Sequence, residues 1–254
     1  MSTRTFAFAL VSVLTAAALT ACSSATDAEA EHASFAIEGE ELAISMESGG
    51  DIALRAGDVD QVEVTRWFTG GSDEASWELT GDQLTLAVDC GFLSSCEVRY
   101  EVVVPRTVAV LVRGSNADVL ATGFEEPLDI VTENGTITVE DVAGDLSLRS
   151  TSGHQQATGL TAQRVDAQAS SGAIDLLVTE APSRLAVATE NGAVSVQLPA
   201  AAYALSVQTD SGSIESSITD DPRSPRTIEV ITENGDITLT RSGLNRPESR
   251  SARL

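Results

Sequence analysis

The chain has 254 residues, 4% of them aromatic, with Arg but no Lys among its basic residues and a formal net charge of −23. That charge excludes a nucleic-acid partner, because neutralising phosphates needs a basic face. It leaves cationic peptides, amine-bearing polymers and divalent ions as compatible ligands, although acid also simply keeps an extracellular protein dispersed.

Residues 1–21 read as a secretion signal. Arg4 supplies the positive charge, and the apolar run 5–18 is too short for a spanning helix. The run ends in Leu19-Thr20-Ala21-Cys22, which is similar to the bacterial lipobox. The expectation is a lipoprotein whose diacylated Cys22, carrying palmitate-type chains, becomes the new N-terminus, each buried methylene adding about 0.8 kcal/mol. The protein would be extracytoplasmic, its first partner the membrane that holds this lipid. Residues 22–34 are small and acidic without periodicity, and read as a flexible tether.

Cys90 and Cys96 remain, six residues apart between two strand-like runs. In an oxidising compartment they predict a disulfide pinning a hairpin loop. No metal or other cofactor is expected, since two thiols are too few ligands and His32 and His154 lie far off without ligand spacing.

Residues 35–105 form a β-rich head. Alternation is clear in Val62-x-Val64, in Leu84-x-Leu86-x-Val88 and in Val98-x-Tyr100-x-Val102-x-Val104. Leu42-x-Ile44-x-Met46-x-Ser48-Gly49-Gly50 looks like an early copy of the repeat described next, so the head is read as a modified start that caps the array. Trp67, Phe68 and Trp77 fit a plug over the open core end better than an exposed platform for a sugar ring.

Residues 106–241 carry the organising pattern, L-x-V-x-T-x-[NS]-G-x-I-x-V. From Asn116 its Asn/Ser position recurs at Asn134, Ser152, Ser171, Asn191, Ser211 and Asn234, after steps of 18, 18, 19, 20, 20 and 23 residues. The residues after these, Gly135, Gly153, Gly172, Gly192, Gly212 and Gly235, mark a corner between two strands. Glycine is expected there because a corner needs positive φ and has no space for Cβ. Alternation sends Leu128, Ile130, Thr132, Ile137 and Val139 inward. No coil can bury this face alone, so successive coils must stack with the Asn/Ser positions in a ladder. The fold class expected is all-β: a β-solenoid of stacked coils about 18–20 residues long with a small β N-terminal cap, or else an elongated two-sheet sandwich. Residues 153–157, Gly-His-Gln-Gln-Ala, lack the apolar strand start and predict a loose rung. Residues 220–225 read as a surface loop, and 242–254 as a disordered basic tail with Arg246, Arg250 and Arg253.

The repeat also places Glu133, Glu190, Asp210 and Glu233 outward beside the corners, as a possible cation-binding stripe. Paired carboxylates can serve acid–base chemistry, but no nucleophile–base pair or oxyanion motif accompanies them, so no catalytic residue is assigned and a polysaccharide-acting enzyme is disfavoured. Calcium repeats need more converging oxygens than Glu-Asn-Gly supplies.

With lipobox, head and ladder together, the chain resembles the bacterial putative-adhesin family of β-strand-repeat domains over roughly residues 40–240. The segments 132–139, 170–176, 189–196, 209–214 and 232–239 carry that resemblance. It implies a cell-envelope protein of unknown biochemical activity and supplies no catalytic residues. The function expected is a non-catalytic surface module for adhesion or partner binding; the alternative is an envelope sensor or decoy binding cationic peptides.

Overall fold

The computed structural model describes residues 28–46, 49–69, 75–88 and 97–242. The signal segment, Cys22, the Cys90–Cys96 pair and the basic tail beyond Ser242 lie outside these residues.

The described chain is built from strands, all numbered in sequence order. The head contains β1 (Ala30–Phe35), β2 (Glu41–Met46), β3 (Gly50–Gly57), β4 (Val62–Thr69), β5 (Ala75–Thr80), β6 (Gln83–Val88) and β7 (Glu97–Pro105). The array begins with the long β8 (Ala109–Thr122) and continues with β9 (Leu128–Asn134), β10 (Ile137–Glu140), β11 (Leu146–Ser152), β12 (Gln155–Leu160), β13 (Arg164–Ser171) and β14 (Ile174–Val178). It ends with β15 (Arg184–Asn191), β16 (Val194–Leu198), β17 (Ala204–Ser211), β18 (Ile214–Ser216), β19 (Thr227–Asn234) and β20 (Ile237–Arg241).

These strands make two facing ladders. One, sheet B, runs β5–β6–β2–β8–β9–β11–β13–β15–β19–β17. The other, sheet A, runs β1–β4–β7–β3–β8–β10–β12–β14–β16–β20–β18. Each coil gives one strand to each sheet and turns between them at the Asn/Ser-Gly corner, so the chain is a β-solenoid. Strand β8 serves both sheets, pairing with β9 through residues 110–116 and with β10 through 119–122.

The alternation anticipated from the sequence builds the core. Leu128, Leu146, Val165, Leu185 and Ile228 form one buried ladder, faced across the coil by Ile137, Ile174, Val194 and Ile237. At the corners, threonine hydroxyls stitch coil to coil. Thr189 Oγ1 donates to the Gly172 carbonyl at 3.4 Å, Thr232 Oγ1 to that of Gly192 at 3.2 Å, and Thr209 Oγ1 to that of Gly235 at 3.0 Å. Each satisfies a polar group that would otherwise be costly inside the stack.

Chain order and stacking order part company at both ends. The coil β17–β18 does not sit on the coil before it; β19–β20 is inserted between β15–β16 and β17–β18. Likewise β2–β3 is sandwiched between β8 and the strands β6 and β7. The expectation that successive repeats stack in sequence therefore fails for the last two. The physical reason is that every repeat carries the same ladder residues, so any coil can seat on any other when the connection is long enough. Residues 217–226 provide that length, and the loop anticipated at 220–225 within them is mostly exposed.

Three further expectations are corrected. Residues 30–34, assigned to the tether, form most of β1, which pairs antiparallel with β4 although it lacks an apolar period of its own. The rung at 153–157 is not loose: Gln155 takes the inward position, is fully buried, and donates to Ser150 Oγ at 2.8 Å and to the Gln168 carbonyl at 2.7 Å. Finally, positive φ holds for Gly135, Gly153, Gly172 and Gly212, but Gly192 and Gly235 are outside that region. What all six share is crowding: a Cβ on any of them would collide with a carbonyl of the neighbouring coil.

Candidate functional site

The two sheets turn different surfaces to solvent, and the outward side of sheet B is the more sculpted. Residues at odd offsets from the buried ladder line it. The column Leu111–Asp129–Ser147–Asp166–Ala186–Glu229 runs beside the column Arg113–Val131–Arg149–Gln168–Ala188–Ile231. Parallel in-register pairing holds equivalent side chains about 4.8 Å apart, so unlike charges on adjacent rungs meet. Arg164 lies 2.8 Å from Asp145, Arg149 lies 3.4 Å from Asp129 and 3.9 Å from Asp166, and Arg184 lies 3.5 Å from Glu229. All are solvent-exposed, so each pair adds little to stability; they intersperse cations among the carboxylates of this face.

Two open depressions lie along this face. One, of about 530 Å³, is lined by Leu111, Leu128, Asp129, Arg164 and Arg184. The second, of about 440 Å³, is lined by Val131, Arg149, Gln168, Glu190, Ile231 and Glu233. Such a surface offers apolar floor with charged rims, suited to an extended ligand laid across rungs.

The expected acidic stripe is present in altered form. Glu133, Glu190, Asp210 and Glu233 are all exposed. The register puts Glu190, Glu233 and Asp210 on three consecutive rungs, β15, β19 and β17. Glu133 stands apart, with Thr151 and Ser170 on the rungs between. The inserted coil changes only the order within the triplet, placing Glu233 between Glu190 and Asp210. Among the described residues no cluster of His, Cys, Asp and Glu has the arrangement of a metal site.

The corner ladder is partly a hydrogen-bonded one. Asn134 Nδ2 donates to Asn116 Oδ1 at 3.0 Å, and Asn234 Nδ2 to Asn191 Oδ1 at 3.1 Å. Ser152, Ser171 and Ser211 occupy the same register positions. In the head, Phe68 and Trp77 pack on the core as a plug, while Trp67 instead lies under the Arg99 guanidinium, 5.6 Å from ring centre. Beneath them Arg66 is buried, hydrogen-bonded to Glu31 and to the Ala75 carbonyl, and stacked 4.4 Å from the Trp77 ring centre.

The arginines of sheet B escaped the sequence reading. Aligning the repeats by their Gly corners would have placed Arg149 between Asp129 and Asp166, but attention to the inward apolar positions hid the outward columns.

The family model described as Toastrack DUF4097 matches residues 110–240. No curated protein matches the chain. Similar solved structures include a putative adhesin from Bacteroides fragilis NCTC 9343, with 14% identity, a TM-score of 0.49 and coverage of 84% of this chain and 97% of that one. Another, from Parabacteroides distasonis ATCC 8503, has 13% identity, a TM-score of 0.45 and coverage of 84% and 98%. A putative cell adhesion protein from Clostridium sporogenes ATCC 15579 has 11% identity, a TM-score of 0.40 and coverage of 84% and 99%.

Proposed function

The chain belongs to the Toastrack DUF4097 family, and from that premise we propose that it is a non-catalytic cell-envelope lipoprotein. Lipidated Cys22 anchors it outside the membrane, a Cys90–Cys96 disulfide pins the head, and the outward face of sheet B is presented to a surface partner. The observation that carries this reading is the ion-paired, arginine-bearing face with its shallow depressions, on a chain whose net charge is −23. A long ligand meets several rungs at once there, and repeated weak contacts gain strength through multivalency.

The test is retention of the chain from residue 23 onward on envelope fractions of the producing cell, at low and high salt. Substituting Leu111→Asp and Val131→Asp together, both half-buried on the outward face, is expected to reduce retention at least tenfold, with folding of the variant checked by circular dichroism. Undiminished retention by that variant would sink the assignment of this face.

A second reading, capture of cationic peptides, is supported by Glu190, Glu233 and Asp210 on consecutive rungs. It predicts peptide binding that disappears in high salt and on neutralising those three residues together.

A further inference from the structure

The two ends of the solenoid are finished differently. At the head end, antiparallel strands β1, β4 and β5 flank the parallel ladders, and Phe68, Trp77 and Leu79 cover the core. At the far end, β17 pairs only with β19 and β18 only with β20 among the described residues. The core beneath is incompletely closed: Leu205 and Val207 pack on it yet remain half-buried, and Ile214 is 46% exposed. An open edge with apolar residues beside it recruits another strand.

The loop before β19 covers only the start of β17. Leu205 N–H donates to Asp220 Oδ1 at 2.9 Å, and the Asp221 N–H donates to the Tyr203 carbonyl at 2.8 Å. The edge of β18 is left bare. Ser217 N–H donates to the Leu239 carbonyl at 2.9 Å, so alternation turns the N–H groups of Ile214 and Ser216 away from β20, where no strand receives them among the described residues.

Charge is segregated along the last three coils. Glu190, Asp210, Glu215, Glu233 and Asp236 stand exposed around the Asn/Ser-Gly corner. The arginines of the same coils, Arg184, Arg223, Arg226 and Arg241, all stand at the opposite turn, where Asp220 and Asp221 already accompany Arg223 and Arg226. The corner therefore lacks a cation of its own.

The chain leaves the fold beside this edge. Arg241 N–H donates to Ser217 Oγ at 3.2 Å and Ser242 N–H to the Leu198 carbonyl at 2.8 Å, so residues 243–254 begin at the foot of β18. They carry Arg246, Arg250 and Arg253 against one acid, Glu248. Lying along β18 requires a sideways step of about 10 Å over two rungs and a climb of about 17 Å to the corner. An extended segment of this length spans about 40 Å. Arg250 and Arg253 thus reach the level of Asp210 and Glu215.

We propose that residues 243–254 add a strand to the open edge of β18 and close the end of the solenoid in cis. Running back from Ser242 towards the corner, the segment opposes β18 in direction, so the added pair is antiparallel and meets the free peptide groups of Ile214 and Ser216. Pro247, which has no N–H, is tolerated in an edge strand. A second copy of the chain would bring the same carboxylates to this edge and meet repulsion. The tail brings the opposite charge, and it arrives intramolecularly, at high effective concentration. An edge covered in this way is closed to other strands.

Hydrogen–deuterium exchange on the chain from residue 23 onward, with and without residues 243–254, tests the proposal; both forms retain every described strand. Amides of residues 213–218 are expected to exchange at least tenfold more slowly in the longer form, whatever the protein concentration. Arg250→Glu with Arg253→Glu should abolish that protection, and adding Asp210→Arg with Glu215→Arg to the same chain should restore it. A synthetic peptide of residues 243–254, added to the shortened chain, should protect the same amides, less so in high salt. Equal exchange in the two forms would overturn the proposal. So would protection that survives reversal of the tail arginines, or a charge swap that fails to restore it. Protection that grows with protein concentration would also overturn it, by assigning the edge to a second copy.

Discussion

Asn234 donates a hydrogen bond from its carboxamide to that of Asn191, 43 residues earlier, at 3.1 Å. The repeat between them, with Ser211 at the equivalent position, is displaced to the far side of Asn234. A serine hydroxyl can donate and accept but lacks the reach of a carboxamide across a rung, so the asparagine-bearing coils 184–198 and 227–241 gain a side-chain bond as neighbours. The same pairing joins Asn116 to Asn134 nearer the head.

This order is testable by a double-mutant cycle. Asn191→Ala and Asn234→Ala are each expected to cost about 1 kcal/mol of stability. Their effects should be non-additive by about 0.5 kcal/mol or more, since they remove one shared bond. Asn191→Ala and Ser211→Ala should simply add. Chemical denaturation of the single and double variants decides; additivity for the first pair would mean the last coil sits elsewhere.

Glycine substitutions separate crowding from backbone conformation. A Cβ on Gly192 would run into the carbonyl of Gly172, although Gly192 needs no left-handed φ. Two coils would have to part, so Gly192→Ala is expected to lose about 3 kcal/mol or more. Gly81, with φ of 61° and open space around it, should lose only about 1 kcal/mol as Ala. Thermal unfolding of both variants measures the contrast.

The solenoid was legible because its signal is redundant: the period-two apolar pattern and the Gly corners recur in every coil, and each copy confirms the others. Stacking order was not, because the feature that repeats cannot say which copy touches which. Only departures from the repeat carry that information, such as the choice of Asn over Ser and the longer link at 217–226. The buried Gln155 was misread for the same reason. A polar residue in an apolar column signals a defect until its partners, Ser150 and the Gln168 carbonyl, are known. The sheet-B columns were readable in principle, since Asp129, Arg149 and Asp166 occupy equivalent places, but only once the register is assumed.

In the head, Arg66 holds the plug together from inside. Its guanidinium is buried against Trp77 and reaches both Glu31 and the Ala75 carbonyl, while Glu31 itself is half-exposed. The two ends of this pair should therefore respond unequally. Arg66→Ala strips a packed stem as well as the hydrogen bonds and is expected to cost about 3 kcal/mol. Glu31→Gln, with water able to replace its contact, should cost less than about 1 kcal/mol. Equal losses would show that the ion pair, not the packing, fixes β1 to the cap.

Two aspartates should respond to pH with opposite signs. Burial, then the charges of Asp118 and Glu97, hold the Asp51 carboxyl above its ordinary value of 3.8, against the pull of Arg99. The folded state therefore keeps that proton longer than the unfolded chain. Ionising Asp51 opposes folding, with no penalty below pH 3.8 and the full penalty once pH passes the raised folded value. Asp236 is the reverse case: the Ser213 backbone N–H and hydroxyl both donate to it, at 2.8 Å each, and hold its carboxyl below 3.8. Its stabilising contribution is present above that value and disappears as pH falls through the lowered one. Asp51→Asn is thus expected to raise the melting temperature at pH 7 and to leave it unchanged in strong acid. Asp236→Asn is expected to lower it at pH 7, with the deficit closing in acid. After solvent screening the Asp51 gain should stay below about 1 kcal/mol. Melting curves of both variants from pH 2 to 8 check the signs, and a destabilising Asp51→Asn at neutral pH would mean that Arg99 outweighs burial and the acidic neighbours.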